Sequence, residues 1–183
     1  HPSVDNVLED AMTQTSLAIK SPLFVTHRLD TLTSGLIVYG KKKQFVKDFN
    51  VQLIERGVQK KYVALVETRQ ALPKALTHYM DPSKGTPKKL STNPADGWDI
   101  CKLEILEQTR VSESVVHVKI NLLTGRTHQI RSQMAFLNAP IVGDILYGSK
   151  LSFHGSGIAL KSCEIAFVFE GKKLKFNISE DFI

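Results

Sequence analysis

The chain has 183 residues, of which 42% are apolar and 23% charged, and these shares exclude a disordered or fibrous protein. They favour one folded domain over residues 1–183. Lys and Arg total 24 against 18 Asp and Glu, a formal charge of +6 that suits a polyanionic partner but also occurs in proteins that bind no nucleic acid.

Metal and membrane association are not indicated by the sequence. Cys101 and Cys163 lack the spacing of a zinc site or a disulfide framework. No apolar run approaches the roughly 20 residues of a membrane span, and the first ten residues lack a signal pattern. We therefore expect no metal, no membrane contact and a cytoplasmic location, with an organelle matrix as the alternative.

The first third of the chain is predicted to contain two helices and two strands. Apolar residues at helical spacing predict a helix over residues 4–19 that ends before Pro22. Compact apolar runs predict strands over residues 36–39 and 62–66. Between these strands, apolar residues again recur at helical spacing, which predicts a helix over residues 45–54.

The remainder of the chain begins with a stretch rich in Pro, Gly, Ser and Lys, over residues 73–98, which predicts a long loop. Strands and one helix then follow. Strands are predicted over residues 101–106, 115–120, 158–169 and 174–176, and a helix over residues 127–137. The elements together predict a mixed, sheet-centred domain.

A polar, hydroxyl-rich segment, His27-Arg28-Leu29-Asp30-Thr31-Leu32-Thr33-Ser34-Gly35, leads into the first predicted strand. An acid in such a loop can be presented on a rigid sheet edge, which makes Asp30 a candidate catalytic group. On this segment alone, hydrogen bonding within the turn is the more common role of Asp and Thr.

A second polar segment, residues 123–131, combines a turn with the start of the last predicted helix. Gly125 permits a tight turn, and Thr127 can cap the helix. Several side chains offer donors for phosphate or sugar oxygens, namely Arg126, His128, Gln129 and Arg131. Arg131 could also hold a carboxylate in a forked pair, although a solvated basic helix start would have the same sequence.

Together these segments resemble the RluA family of RNA pseudouridine synthases. His27-Arg28-Leu29-Asp30 with Thr33-Ser34-Gly35-Leu36 is similar to the catalytic motif of the family. Lys61-Tyr62-Val63-Ala64-Leu65-Val66 is similar to its second motif. Thr124-Gly125-Arg126 with His128-Gln129-Ile130-Arg131 is similar to its third, which Pro140-Ile141-Val142-Gly143-Asp144 and Tyr147-Gly148 continue.

The resemblance implies an α+β fold with a mixed, largely antiparallel central sheet, flanking helices and a catalytic cleft. It implies three catalytic residues, with Asp30 as the nucleophile: Asp30, Tyr62 and Arg131. Six further residues are expected to bind the substrate: His27, Arg28, Thr33, Arg126, His128 and Gln129.

The resemblance also implies the partners of the chain. We expect a monomer that needs no cofactor and acts on uridines in structured RNA, ribosomal or transfer RNA. Two features of the family have no match here, the strand with a Lys-Pro dipeptide before the catalytic motif and the separate amino-terminal RNA-binding module that some members carry. We therefore expect that one edge strand is missing.

Each implied catalytic residue has an expected role. Arg131 is expected to keep the Asp30 carboxylate ionised and oriented through a salt bridge. Tyr62 is expected to lie against the target base, for stacking or for proton transfer. Because the reacting atoms are hidden in a stacked base, the uridine must be flipped out, and Arg28 is expected to fill the vacated space or clamp the backbone.

Other classes of protein remain as alternatives. A non-catalytic RNA-binding protein could use the same scaffold, although it would have no need of the three candidate catalytic residues. A nucleobase deaminase needs zinc ligands with a paired Glu, and a glycosidase needs two working carboxylates. Pairs and runs of lysine could form a track for phosphates, above all the run at residues 41–43.

Overall fold

The computed structural model describes residues 16–154 and 157–182 of the chain. The first predicted helix, over residues 4–19, lies mostly outside the described residues. Its last four positions, residues 16–19, are helical.

Most of the described residues belong to strands. The strands are β1 (Phe24–Val25), β2 (Ser34–Gly35), β3 (Tyr39–Gly40), β4 (Gln59–Glu67), β5 (Ala75–Met80), β6 (Leu90–Ser91), β7 (Asp99–Arg110), β8 (Val115–Leu122), β9 (Leu160–Phe169) and β10 (Lys172–Asn177). The helices described in full are α1 (Lys43–Ile54) and α2 (Gln129–Phe136), and a 3₁₀ turn covers Ile145–Tyr147.

The main sheet has the strand order β10-β9-β4-β8-β7-β5-β6, and every neighbouring pair along it is antiparallel. Strand β2 is added beside β9 in parallel. A separate ribbon pairs β1 with β3. This architecture confirms the predicted α+β fold with a largely antiparallel central sheet.

Two apolar clusters hold the helices against the sheet. On β8, alternate residues are buried, and Val118 and Ile120 pack in the larger cluster with Ile130 and Met134 of α2. In the smaller cluster, Phe49 of α1 packs among residues of β9 such as Ile165. The first cluster fixes the helix that carries the third motif, and the second fixes the chain around the first motif.

Gly35 allows the first motif to approach the sheet closely. It has φ +114, and a Cβ atom at this position would lie 2.6 Å from the Ser162 backbone nitrogen. Only glycine tolerates both the backbone conformation and the contact. The pairing of β2 with β9 therefore depends on Gly35 and anchors the loop that carries Asp30.

Several predicted elements are confirmed, and others are wrong. The helix at residues 45–54 and the strands at 62–66, 101–106, 115–120, 158–169 and 174–176 all fall within or overlap observed elements. The predicted strand at residues 36–39 is wrong, because residues 36–38 are irregular. The predicted loop at residues 73–98 is wrong in part, because it contains β5 and β6.

The start of α2 also differs from the prediction. The helix begins at Gln129 rather than Thr127, and His128 occupies the cap position with a left-handed backbone, φ 56. No side chain caps this helix by a hydrogen bond, so the predicted capping role of Thr127 is wrong.

Candidate active site

A cleft of about 70 Å³ lies where the first motif, β4, the β8–α2 connection and β9 meet. The lining residues are Arg28, Leu29, Asp30, Thr33, Lys60, Tyr62, Leu122, Gly125, Arg126, Gln129, Ile130 and Leu160. Segments that are distant in the sequence thus converge on one small site.

Asp30 is the carboxylate of this cleft, and its side chain is 24% exposed. The nearest cation is Arg131 on α2, whose Nη1 lies 4.0 Å from Asp30 Oδ2. The two residues therefore meet as the sequence predicts, although at the outer limit of an ion pair rather than in a hydrogen bond.

The forked partner of Arg131 is Asp144. Arg131 Nε donates to Asp144 Oδ2 at 2.6 Å and Nη2 donates to Oδ1 at 2.8 Å, and both side chains are almost fully buried. The expected ion pair with Asp30 is thus present at 4.0 Å, but the forked hydrogen bonds of Arg131 are made to Asp144 and not to Asp30. The guanidinium also lies over the ring of Tyr147, with Cζ 5.0 Å from the ring centroid.

Asp144 has no role in the interpretation of the sequence, although it stands in the last quoted motif, beside Gly143. A carboxylate that close to a glycine turn gives no signal of its own, and its partner is 13 positions away in the chain. Only the folded structure shows that it binds two nitrogens of the guanidinium, Nε and Nη2, while Nη1 lies towards Asp30.

Tyr62 also lines the cleft and is 6% exposed. It faces into the cleft from β4, where it pairs with Ile120 on one side and Ser162 on the other. Burial raises the pKa of the Tyr62 phenol to about 12. The hydroxyl is therefore protonated at physiological pH and can donate a hydrogen bond, but it is not a phenolate.

Two of the predicted substrate-binding residues from the first motif line the cleft. Arg28 is exposed there, next to the catalytic candidate Asp30. Thr33 lines the cleft with a buried hydroxyl that has no hydrogen-bond partner among the described residues. An unpaired buried hydroxyl is costly, and a ligand in the cleft could supply its partner.

His27 does not line the cleft. Its Nε2 accepts a hydrogen bond from the backbone N–H of Val38 at 3.1 Å, and its ring stacks on Phe49 at 5.9 Å between centroids. Burial, followed by the positive charge of Lys60, lowers the pKa of His27 to about 4. The structure therefore places it as a neutral support of the motif loop.

Gln129 lines the cleft, but its amide is fully used inside the protein. Oε1 accepts from Thr124 Oγ1 at 2.9 Å and from the Arg126 N–H at 3.1 Å. Nε2 donates to the Lys102 carbonyl at 3.1 Å and to Gln133 Oε1 at 3.0 Å. These four bonds exhaust the amide, so in this arrangement Gln129 shapes the turn and offers nothing to a substrate.

The two remaining candidates lie on either side of this turn. Arg126 is half-exposed at the cleft and forms an ion pair with Asp99 at 3.0 Å. His128 lies next to Tyr147, with Nδ1 3.1 Å from the hydroxyl, and the Lys88 N–H donates to the same hydroxyl at 3.0 Å. Burial lowers the pKa of His128, so a neutral imidazole is favoured there.

The lysines of the sequence fall in several places. The run at residues 41–43 is exposed at the start of α1, and Lys41 and Lys42 border a separate groove rather than the cleft. Lys61 pairs with Glu164 at 2.9 Å. Lys60, its neighbour in the sequence, lines the cleft and has no individual role in the interpretation of the sequence.

Two searches of the described residues concern metals and membranes. Within residues 16–154 and 157–182, no three His, Cys, Asp or Glu side chains are grouped so that they could hold a metal ion. No helix in this part of the chain combines the length and apolar character that a membrane crossing requires.

Comparison with known proteins gives consistent matches. A family model described as RNA pseudouridylate synthase matches residues 5–136. RNA pseudouridine synthase 6, chloroplastic, of Oryza sativa subsp. japonica is 35% identical to the chain over 167 residues. Ribosomal large subunit pseudouridine synthase C of Buchnera aphidicola subsp. Baizongia pistaciae is 34% identical over 140 residues.

These alignments cover 79% and 70% of the chain but 35% and 41% of the two relatives. The chain thus spans less than half the length of either protein. Among solved structures, Human RNA Pseudouridylate Synthase Domain Containing 1 matches with a TM-score of 0.73 at 22% identity, over 95% of this chain and 76% of that one. This likeness confirms the fold, and the family match confirms the resemblance seen in the motifs.

Proposed function

The chain belongs to the RNA pseudouridylate synthase family, and on that premise we propose that it isomerises uridine to pseudouridine within an RNA strand, with Asp30 as the nucleophile. The observation that carries this proposal is that Asp30 and Tyr62 line one cleft and that Arg131 lies against Asp30, with Nη1 4.0 Å from Oδ2. Three motifs that are separated in the sequence thereby supply an acid, an aromatic ring and a cation to a single site.

The reaction requires the bond between ribose C1′ and uracil N1 to break, the base to rotate and C5 to join C1′. A carboxylate can assist by adding to the sugar or the base, or by removing the 2′ proton on a glycal route. Asp30 suits each route, because it is partly exposed to the cleft and faces Arg131 Nη1. It must be ionised in all of them.

Arg131 orients Asp30 rather than acting on the substrate. Because Asp144 takes two of its donors, the guanidinium is rigid and its charge is compensated within the protein. A fixed cation beside the nucleophile stabilises the carboxylate without having to reorganise during the reaction.

Tyr62 provides a face against the target base, and its protonated hydroxyl provides a donor. Stacking of a base on an aromatic ring contributes about 1–3 kcal/mol. Tyr62→Leu should therefore be about 5-fold to 150-fold slower than Tyr62→Phe in a single-turnover assay. Equal activities of the two variants would argue against contact between Tyr62 and the base.

The target uridine has to leave the stack to reach the cleft, at a cost of a few kcal/mol. Arg28 is exposed beside Asp30 and can take the vacated space or clamp the backbone. A 2-aminopurine reporter next to the target should brighten with wild-type protein and much less with Arg28→Ala. The same fluorescence change with both proteins would contradict this role.

The proposed substrates are uridines of structured RNA, ribosomal or transfer RNA, bound by a single catalytic domain that acts as a monomer without a cofactor. One of the relatives is named for the large ribosomal subunit, so ribosomal RNA is the first substrate to test. Two similar plant proteins are named as chloroplastic, and an organelle matrix therefore stands beside the cytoplasm as the proposed compartment.

The function is tested by carbodiimide mapping of pseudouridine in ribosomal and transfer RNA incubated with the protein. Asp30→Asn, which keeps the shape of the side chain, is the matched control. Sites formed by the wild type and absent with Asp30→Asn are the expected result. RNA binding without any new pseudouridine would instead support a non-catalytic RNA-binding protein, and a change of RNA mass would indicate deamination or loss of the base.

A further inference from the structure

Lys60 occupies a position in the cleft that differs from that of its neighbour in the sequence. It lies on β4, in register with Leu122 of β8 and Ile165 of β9, and lines the cleft together with Tyr62. Lys61 does not line the cleft, and its Nζ pairs with Glu164 at 2.9 Å. The two lysines of this pair therefore have different environments.

The Lys60 ammonium has no acidic partner among the described residues. Two other cations at the site are paired with acids, Arg131 with Asp144 and Arg126 with Asp99, whereas Arg28 is exposed to solvent. A Cβ atom added at Gly125 would lie 3.3 Å from Lys60 Nζ, which places the ammonium directly against the backbone of the third motif. Lys60 is thus a largely desolvated cation at the edge of an enclosed space.

Such a position is energetically costly in the free protein. Burial lowers the pKa of Lys60 below its ordinary value of 10.5, and the charge of Lys60 in turn lowers the pKa of nearby His27. A buried charge without a partner is retained at functional sites, where a ligand compensates it.

We propose that the Lys60 ammonium donates a hydrogen bond to a carbonyl oxygen of the target uracil and stabilises the negative charge that the base gains during the reaction. This assignment rests on the proposed function of the cleft. It makes Lys60 a further catalytic residue, in contact with the reacting base, beside Asp30 and Tyr62.

The neighbours of Lys60 favour the base over a phosphate as its ligand. Tyr62 adjoins it in the cleft, with apolar Leu122 and Leu160, and these surroundings suit a planar base rather than a hydrated phosphate. Arg28, an exposed cation of the same cleft, is the one available to a phosphate at its mouth.

The charge on the base follows from the bonds that change. When the C1′–N1 bond breaks, its electron pair stays with uracil and is delocalised onto the O2 and O4 carbonyl oxygens. After rotation, C5 forms the new bond to C1′, the C5 proton is lost, and N1 gains a proton, so the product is an isomer. Lys60 keeps its proton throughout and acts by charge alone.

Three variants test this role: Lys60→Met, Lys60→Arg and, as the matched control, Lys61→Met. The single-turnover rate at saturating RNA should fall about 100-fold in Lys60→Met, as for loss of one preorganised donor. Its dissociation constant for RNA, and the salt dependence of that constant, should stay as in the wild type. Lys61→Met should react within about twofold of the wild type, since it removes only a pair with Glu164.

The pH dependence of the rate separates a charge effect from a packing effect. The wild-type rate should fall as the pH rises through the lowered pKa of Lys60, because the neutral amine cannot stabilise an anion. Lys60→Arg should be slower than the wild type but keep its rate to higher pH, because a guanidinium stays charged. A purely structural role of Lys60 would leave the shape of this profile unchanged.

Each contrary outcome has a separate meaning. An active wild type with an equally fast Lys60→Met overturns the role of Lys60 and leaves the proposed function intact. Weaker RNA binding by Lys60→Met, with a smaller salt slope and a normal rate at saturation, assigns Lys60 to a phosphate and also overturns the contact with uracil. A wild type that forms no pseudouridine defeats the proposed function, and the role of Lys60 with it.

Discussion

Arg131 divides its donors between two carboxylates of different character. Asp144 is buried and receives a bidentate pair, whereas Asp30 is partly exposed and lies 4.0 Å away. The energetic and chemical roles of the guanidinium are thereby separated. Asp144 stabilises the buried charge, and Asp30 accepts no hydrogen bond from the guanidinium, as its proposed role as nucleophile requires.

The variant Asp144→Asn tests this separation. It leaves a buried guanidinium without its compensating charge, which costs about 3–5 kcal/mol when one partner of a buried pair is lost. Urea unfolding should show that loss, and Asp30→Asn should show much less because Asp30 is 24% exposed. Equal stability of Asp144→Asn and the wild type would mean that the forked pair contributes little.

His27 makes the stability of the fold dependent on pH. The unfolded chain titrates His27 near the ordinary value of 6.5, whereas burial lowers the pKa in the folded state to about 4. The unfolded state thus binds more protons in this window, so stability is complete above it and falls as the pH drops from 6.5 towards 4. The loss should reach about 3 kcal/mol at the lower end.

Urea unfolding at several pH values checks this expectation, with His27→Gln as the control. Glutamine can still accept the Val38 N–H bond but does not titrate. The difference in stability between the wild type and His27→Gln should shrink as the pH falls. A difference that is constant with pH would show that folding does not shift the pKa of His27.

At the scale of residues, the motifs predicted which side chains lie close together but not which hydrogen bonds and ion pairs each of them makes. Asp30, Tyr62 and Arg131 do converge, and their catalytic roles stay a prediction. No role was predicted from the sequence for Asp144 or Lys60. Asp144 matters because it pairs with Arg131, and Lys60 matters because it has no acidic partner among the described residues. Both facts depend on packing between distant segments. The saturated amide of Gln129 could not be foreseen for the same reason.

At the scale of elements, the sequence was interpretable wherever apolar residues alternated cleanly. Strand β5 was missed because His78 takes an inward position between Leu76 and Met80 and breaks the apolar alternation. Its Nδ1 lies 3.0 Å from Gln133 Nε2, and its ring packs on Phe136. Because His78 is buried against α2, β5 lacks the apolar alternation of a strand, and the sequence predicted a loop there.

At residues 36–38 the error was the reverse, because a strand was predicted where the backbone is irregular. Leu36 and Val38 are partly buried in the smaller apolar cluster, so their hydrophobicity reflects packing. Their backbone N–H groups are taken by the Ser162 carbonyl and by His27 Nε2 rather than by one continuous neighbouring strand. Apolar composition predicted burial correctly and strand geometry wrongly.

The close approach of β2 to β9 gives a prediction for Gly35→Ala. The added methyl group meets the Ser162 backbone, and φ +114 is strained for alanine, so we expect a loss of well over 2 kcal/mol and a displaced Asp30 loop. Gly171→Ala is the matched control, since Gly171 has φ +73 but nothing within 4 Å of its added Cβ. It should lose about 1–2 kcal/mol and keep full activity.

Thermal unfolding and single-turnover rates distinguish the two glycine variants. Gly35→Ala should lose activity at temperatures where it is still folded, because the loop that carries Asp30, the proposed nucleophile, is anchored there. If both variants lose stability equally and keep their activity, the contact with Ser162 does not position the site.

At the scale of the whole molecule, composition predicted a single mixed domain, and the resemblance supplied the sheet type. Nothing in the periodicity specified the strand order, because pairing between β4 and β9 joins residues about a hundred positions apart. The net charge of +6 agreed with an RNA partner but did not locate the surface that binds it.

The lysine run at residues 41–43 gives a test of that surface. If these exposed lysines contact phosphates, replacing Lys41, Lys42 and Lys43 by Gln should reduce the slope of log affinity against log salt by about 2 for a single-stranded contact. Replacing Lys172 and Lys173 provides a comparison on the β9–β10 hairpin. Salt titration by fluorescence anisotropy measures both, and an unchanged slope would remove the run from the RNA-binding surface.

The residues of the site come from both halves of the chain. The exposed turn around Gly85 separates Asp30 and Tyr62, on one side, from Arg131 and Asp144 on the other. Since β4 is paired along its length with β8 and β9, a chain cut at this turn would still present long complementary edges. Neither fragment alone would contain the complete site. Pseudouridine formation by the mixed fragments would therefore show that they had reassembled.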